Sequence, residues 1–185
     1  TAANWTVSGI TSTSIPGSLD TAIFDLNAGG VLLGTDAVNI LDFEGPGRWT
    51  LGSGASLSAT SIVAVANSSG GTALNVGSAA TLSADGRILI GSGTGLSGSA
   101  TVSAGGTLRQ TATATMANAA AMLIAAGTNA FGNVLVSGTG SSIDLGHNGL
   151  VVGYGTGSHG TLTVAQGGSV FATTDNSSQL VALAV

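Results

Sequence analysis

The sequence predicts an all-β fold, a parallel β-helix (β-solenoid) with an irregular N-terminal capping coil. Three observations predict it: a segment that recurs without gaps at a fixed offset, short β-branched runs punctuated by glycine, and a composition almost without charge.

The recurring segment comes first, because a fixed period overrides any other fold assignment. Arg87 to Leu108, RILIGSGTGLSGSATVSAGGTL, aligns without a gap on Gly149 to Val170, GLVVGYGTGSHGTLTVAQGGSV, with nine of 22 positions identical. The identities fall mainly on turn-like glycines such as Gly91/Gly153, Gly93/Gly155 and Gly98/Gly160. Apolar positions match in kind, among them Ile88/Leu150, Leu89/Val151, Val102/Val164 and Leu108/Val170. A weaker copy, Leu123 to Ser142, lies between them, with Leu123 matching Leu89. A degraded copy, Thr72 to Ser83, precedes them and matches the segment from Gly98 to Arg109. The spacings of about 26, 34 and 28 imply loops of variable length around a conserved strand core.

Within each copy, ILIG, ATVSA and GTLRQTAT read as strands by their alternation and β-branched content. GSGTGLSG reads as a turn, where glycine supplies positive φ without steric cost. So small a unit cannot bury its apolar face alone. Stacked in parallel, Val102 and Val164 fall in one inward ladder, and Leu108 and Val170 in a neighbouring one. Helix is disfavoured by the density of glycine, each interior glycine costing about 1 kcal/mol relative to alanine. Thr115 to Gly127, TMANAAAMLIAAG, is open between a short helical turn and a strand with a small-residue loop.

The ends differ from the middle. Residues 1–48 are expected to form the capping coils, and residues 49–185 the repeat-bearing β-helix of one continuous domain. The segment from Thr1 to Trp49 carries Trp5, Phe24, Phe43 and Trp49, five of the eight acids and both prolines. At the other end, the uncharged run from Leu180 reads as a self-association edge, with Leu180, Val181, Leu183 and Val185 as its residues. The alternative is a last strand tucked onto the stack.

Composition excludes several classes of function. Three Arg, no Lys and a net charge of −5 argue against nucleic acid, whose phosphates must be neutralised. The absence of Cys removes disulfides and thiolate metal sites. Gly, Ser, Thr and Asn interrupt every apolar run before it reaches the roughly 18 residues that a spanning helix needs. Disorder is disfavoured, because a disordered chain combines low hydrophobicity with high charge, whereas only 6% of these residues are charged and 43% are hydrophobic.

Two segments carry a resemblance. Ala3 to Gly9, ANWTVSG, followed by Ile15 to Asp25, IPGSLDTAIFD, resembles the N-W-x…P-G-x-x-D-T-A-x-F opening of bacterial autotransporter passengers. Gly157 to Val170, with His159 interposed, is similar to their G-x-G-T-L-T-V-x-x-G-G-S-V repeat. The resemblance implies a right-handed parallel β-helix, type V secretion, and an extracellular or outer-membrane-surface location with adhesion, autoaggregation or biofilm formation as roles. No translocator barrel and no globular insertion of the kind that carries family enzymes is visible in this sequence. The competing expectations are a self-assembling filament or surface-layer subunit and, behind both, a polysaccharide-active enzyme.

Candidate site residues are few, and neither a catalytic set nor a cofactor is implied. Tyr154 replaces Ser92 of the aligned copy, which places it in a turn and makes it the leading candidate for ligand contact. Phe131 and Phe171 are further candidate platforms for sugar rings. Thr111, Thr113 and Thr115 share one face of a strand, and such an array suits ice or a crystalline glycan only if T-x-T recurs in successive coils, as Thr161 and Thr163 faintly suggest. His147 and His159 read as exposed loop histidines; a metal site would need both beside a carboxylate such as Asp144. Asp42 and Glu44, two apart, face one side of a strand as a glycosidase pair would. They, with Asp85, Asp144 and Asp175, read instead as solvated turn acids. The partners expected are a second copy of the chain or a cell or glycan surface.

Overall fold

The computed structural model describes residues 5–7, 10–12, 16–25, 27–112, 120–172 and 181–183. Among them all regular structure is β. Strands β1 (Trp5–Val7) and β2 (Ile10–Ser12) form an antiparallel pair. Every later pairing is parallel.

Strand β3 (Thr21–Phe24) opens the stack, and each following turn of chain lies against the one before it. The turns are β4 (Gly29–Leu32) with β5 (Thr35–Phe43), and β6 (Arg48–Leu51) with β7 (Ser56–Val65). Next come β8 (Thr72–Val76), β9 (Thr81–Ala84) and β10 (Arg87–Ile90), then β11 (Ser97–Ser103), β12 (Thr107–Gln110) and β13 (Ala120–Ile124). The last are β14 (Phe131–Ser137), β15 (Ser142–Asp144) and β16 (Gly149–Val152), then β17 (His159–Ala165), β18 (Ser169–Phe171) and β19 (Val181–Leu183).

Three parallel ladders result. The first runs β4-β6-β8-β11-β14-β17. The second takes the first half of β5 and of β7, then β9, β12, β15 and β18; the third takes β3, the second halves of β5 and β7, then β10, β13, β16 and β19. Strands β5 and β7 run unbroken around the corner between the second and third ladders, so these two belong to one strongly curled eleven-stranded sheet. The arrangement is consistent with a β-solenoid.

The register is the one the repeat spacings require. Val102 pairs with Val76 on one side and Val136 on the other, and Val136 pairs in turn with Val164. Leu108 pairs with Leu82 and Ile143, and Ile143 with Val170. The ladders begin at Thr21↔Ile40, inside the segment expected as a cap. Much of the stretch open between helix and strand lies outside the described residues, but its end, Ala120–Ile124, is strand β13.

Alternation fills the interior. Leu74/Val76, Ala100/Val102 and Val134/Val136 point inward from the first ladder. Leu82, Leu108 and Ile143 do so from the second, and Ile88/Ile90 and Met122/Ile124 from the third. Each such large aliphatic side chain contributes roughly 1.5–3 kcal/mol by burial. The first coils use aromatics instead: Phe24 stacks on Phe43 at 5.0 Å, and Trp49 tilts against Phe24 at 5.2 Å. This accounts for the concentration of rings between Phe24 and Trp49.

Turns at the third-to-first corner stack as tightly as the strands. A β-carbon on Gly93 would run into the Asn67 carbonyl oxygen. One on Gly127 would run into that of Ser92, and one on Gly155 into that of Gly127. Only glycine permits successive turns to approach so closely.

Candidate functional site

The outward residues of the first ladder form rows along the stack. In one row Ser97 pairs with Phe131 and Phe131 with His159. The Phe131 and His159 rings stack, with centroids 5.3 Å apart and planes 15° from parallel. Phe131 is half-exposed, at 50%. The neighbouring row holds Ser99, Asn133 and Thr161. The two rows line a shallow depression of about 290 Å³. The pairing of Phe131 with His159 is readable in the sequence once the last two copies are aligned, since two ring-bearing residues then fall in one column.

Tyr154 lies in the turn after β16, as expected, and is 74% exposed. Its backbone N–H donates to the Ala125 carbonyl, so the turn is anchored to the coil before it. Phe171 is exposed on β18 in the outward column Ser83–Arg109–Asp144–Phe171 of the second ladder. The three aromatic candidates are thus distributed: Phe131 on the first ladder, Phe171 on the second, Tyr154 at a corner.

The threonine array is not assembled among the described residues. Thr111 follows β12, exposed, and its hydroxyl and N–H both donate to the Ala84 carbonyl, at 3.2 and 2.8 Å. Thr113 and Thr115 lie outside the described residues. Thr161 and Thr163 do not continue a T-x-T lattice, because their partners one coil back are Asn133 and Leu135.

The two histidines lie apart, one in a turn and one on a strand. His147 is part-buried between β15 and β16, and His159 is the first residue of β17 rather than a loop residue. Asp144 is not isolated: its Oδ2 lies 3.2 Å from Arg109 Nε, and its Oδ1 accepts from the Gly146 N–H at 2.9 Å. Arg109, Gln110, Thr111, Asp144 and His147 edge a second depression of about 180 Å³. Among the described residues no group of three or more His, Cys, Asp or Glu could hold a metal ion. Among them, too, no helix is long and apolar enough to cross a membrane.

Asp42 and Glu44 correct the reading of solvated turn acids. Glu44 is only 3% exposed. Its carboxylate accepts from the N–H groups of Asn67, Ser68 and Ser69 at 3.0, 2.7 and 2.5 Å, and from the hydroxyls of Ser68 and Ser69 at 3.0 and 2.9 Å. It therefore clamps the next turn from one coil away. Asp42 is half-buried beside it, with a buried Oδ1 that has no hydrogen-bond partner. Burial, and then the hydrogen bond and charge of Glu44, push the Asp42 carboxyl up to about 7. Burial pushes Glu44 up as well, but the donors of Ser68, Asp42 and Ser69 outweigh it and hold Glu44 below its ordinary value. Neighbouring carboxyls resist carrying two charges at once, so the better-solvated or better hydrogen-bonded one ionises first. Sequence spacing does not reveal it, since the donors lie a whole coil further along the chain. Glu44 thus fastens the turn of Asn67, Ser68 and Ser69.

The self-association edge is described in part. Val181 pairs in parallel with Leu150, and Leu183 with Val152, so β19 is joined to the stack along one side. Leu180 and Val185 lie outside the described residues.

No protein-family model, no curated protein and no solved structure matches the chain.

Proposed function

We propose that this chain is a non-enzymatic structural or adhesive module of an extracellular or outer-membrane surface, a right-handed parallel β-helix of the autotransporter-passenger type. The observation that carries the reading is the three-ladder stack, whose successive coils pair in parallel from β8 to β17. It supplies a stiff rod whose outward strand positions are mainly Ser, Thr and Asn with few charges, and with exposed apolar side chains such as Val31, Phe131 and Phe171 among them. Such a surface suits contact with neutral, hydroxyl-rich material better than with phosphate or anionic lipid. Right-handedness follows from the general preference of parallel strand–crossover–strand connections, right-handed in about 98% of cases. In this reading residues 1–48 close the stack and residues 49–185 extend it.

One observation favours a second reading, self-assembly into filaments or a surface layer. Val164 continues the inward column of Val76, Val102 and Val136, yet is 48% exposed. A strand edge with apolar side chains beside it is a template for pairing.

Electron microscopy of the purified chain across a concentration series, together with adhesion of cells displaying it, separates the two. Dispersed rods and adhesion support the module. Regular polymers that vanish on replacing Val181 and Leu183 with Lys support self-assembly. Rods without adhesion to any cell or glycan surface overturn the adhesive reading.

A further inference from the structure

We propose that Phe131, continued by His159, is the platform of a binding subsite for the ring face of a neutral glycan. The proposal deepens the surface-contact reading and rests on it for biological context, though its geometry stands alone.

Parallel rings with centroids 5.3 Å apart must overlap face to face with an offset, because rings lying side by side in one plane would be farther apart. His159 therefore covers one face of Phe131. The opposite face is turned toward the preceding coils, where the same row carries only small residues. Ser97 is the direct partner of Phe131. Gly71, which donates its N–H to the Ser97 carbonyl, precedes it by one coil. Two coil spacings, about 10 Å, thus lie beside the ring with no bulky side chain. That is room for one flat saccharide ring stacked on Phe131.

The surroundings select the chemistry. The rows of β11 and β14 on that side offer the hydroxyls of Ser97 and Ser99 and the amide of Asn133. The Ser99 hydroxyl already donates to the Thr72 carbonyl at 3.4 Å, which leaves its lone pairs to accept from a sugar hydroxyl. Among the described residues no Asp, Glu, Lys or Arg lines the depression, so neither an anionic nor a cationic ligand finds a counter-charge. An added peptide strand is excluded on other grounds. β11 is paired on both sides, with β8 and β14, and β14 with β11 and β17, so no backbone donor or acceptor is free to extend the sheet. What remains is an apolar ring face flanked by hydroxyl and amide groups, the combination that a pyranose presents in return.

The test is an amide and side-chain NMR titration of the purified chain with cellohexaose, mannohexaose and chitohexaose, with oligogalacturonate as the charged comparison. At least one neutral oligosaccharide is expected to shift the signals of residues 97–99, 131–133 and 159–161, and oligogalacturonate to shift them less. Phe131→Ala is expected to weaken binding about three- to tenfold and Phe131→Trp to preserve it, as loss or retention of a stacking face requires. Tyr154→Ala is expected to leave it unchanged. Absence of shifts with every neutral probe, equal binding by Phe131→Ala with a native spectrum, or shifts confined to the Tyr154 turn would overturn the subsite. Cell adhesion by the displayed chain is scored in parallel. Adhesion that persists in Phe131→Ala without oligosaccharide shifts sinks the subsite alone. Oligosaccharide binding by a chain that adheres to nothing supports the subsite and sinks the adhesive reading.

Discussion

Asp42 lies one residue before the end of strand β5 and Glu44 follows that strand, and their neighbouring carboxyls are perturbed in opposite directions, Asp42 up to about 7 and Glu44 down. Stability therefore depends on pH through both. The raised group contributes stability that is complete below its ordinary value of 3.8 and is lost as pH rises through 7. The lowered group contributes stability that is complete above its ordinary value of 4.5 and is lost as pH falls further. Maximum stability is expected between these limits, in mild acid. Asp42→Asn keeps the size of the side chain but removes the second charge. Its melting temperature should stay level from pH 5 to pH 8, where that of the parent chain falls. An unchanged slope in the variant would show that Asp42 does not govern the alkaline limb.

Gly155 lies over Gly127 with no space for a side chain, since its β-carbon would overlap the Gly127 carbonyl and backbone cannot yield as a flexible side chain does. Gly155→Ala should destabilise by about 2 kcal/mol or more. Gly17→Ala is the comparison: its β-carbon would meet only an Asp20 carboxylate oxygen, at 3.8 Å, and its φ is not in the left-handed region. That change should stay within about 0.5 kcal/mol, as exposed substitutions away from packing features do. Urea denaturation of both variants gives the difference, and similar midpoints would mean that the turns are not closely stacked in solution.

The Gln110 side chain occupies an inward position of the second ladder, in the column of Ala59 and Ala84. Its amide donates to the carbonyls of Asp85 and Gly86 at 3.1 and 3.2 Å and accepts from the Asn148 amide at 3.2 Å. It thereby satisfies the corner that β7 rounds without a break but that β9 and β10 cross by a turn. Gln110→Leu preserves volume and leaves those carbonyls without that donor, so a loss of about 1–3 kcal/mol is expected. A neutral result in chemical denaturation would mean that water replaces the amide.

How far the fold is legible follows from which features recur along the chain. The register from β8 to β17 can be read because glycines such as Gly93 and Gly155 hold the turns at fixed places, and Leu89, Leu123 and Val151 fall in step with them. The tight stacking of those turns is the physical cause of the repeat. The first coils are illegible as repeats because Phe24, Phe43 and Trp49 fill them with rings instead of aliphatics. The burial of Glu44 is hidden because its main partners, Asn67 to Ser69, offer backbone groups one coil on, and backbone donors leave no trace in residue type. Of the contact candidates, Tyr154 lies where its alignment with Ser92 puts it. The row that joins Ser97, Phe131 and His159 emerges only when all three copies are aligned together.

Position along the stack should set the value of equivalent core residues. Leu108 is fully enclosed, between Leu82 and Ile143 in its column. Leu162 pairs with Val134 in the last coil and is only partly buried against the core. Both are leucines on inward positions, so sequence alone assigns them the same worth. Leu108→Ala removes atoms that are packed on all sides and should cost about 2–5 kcal/mol. Leu162→Ala leaves a space that solvent already reaches, and its cost should be less than half as large. The comparison by denaturant titration also reports on self-assembly. If a second copy covers the last coil, the cost of Leu162→Ala should rise with protein concentration toward that of Leu108→Ala; a cost independent of concentration would place the chain in solution as separate rods.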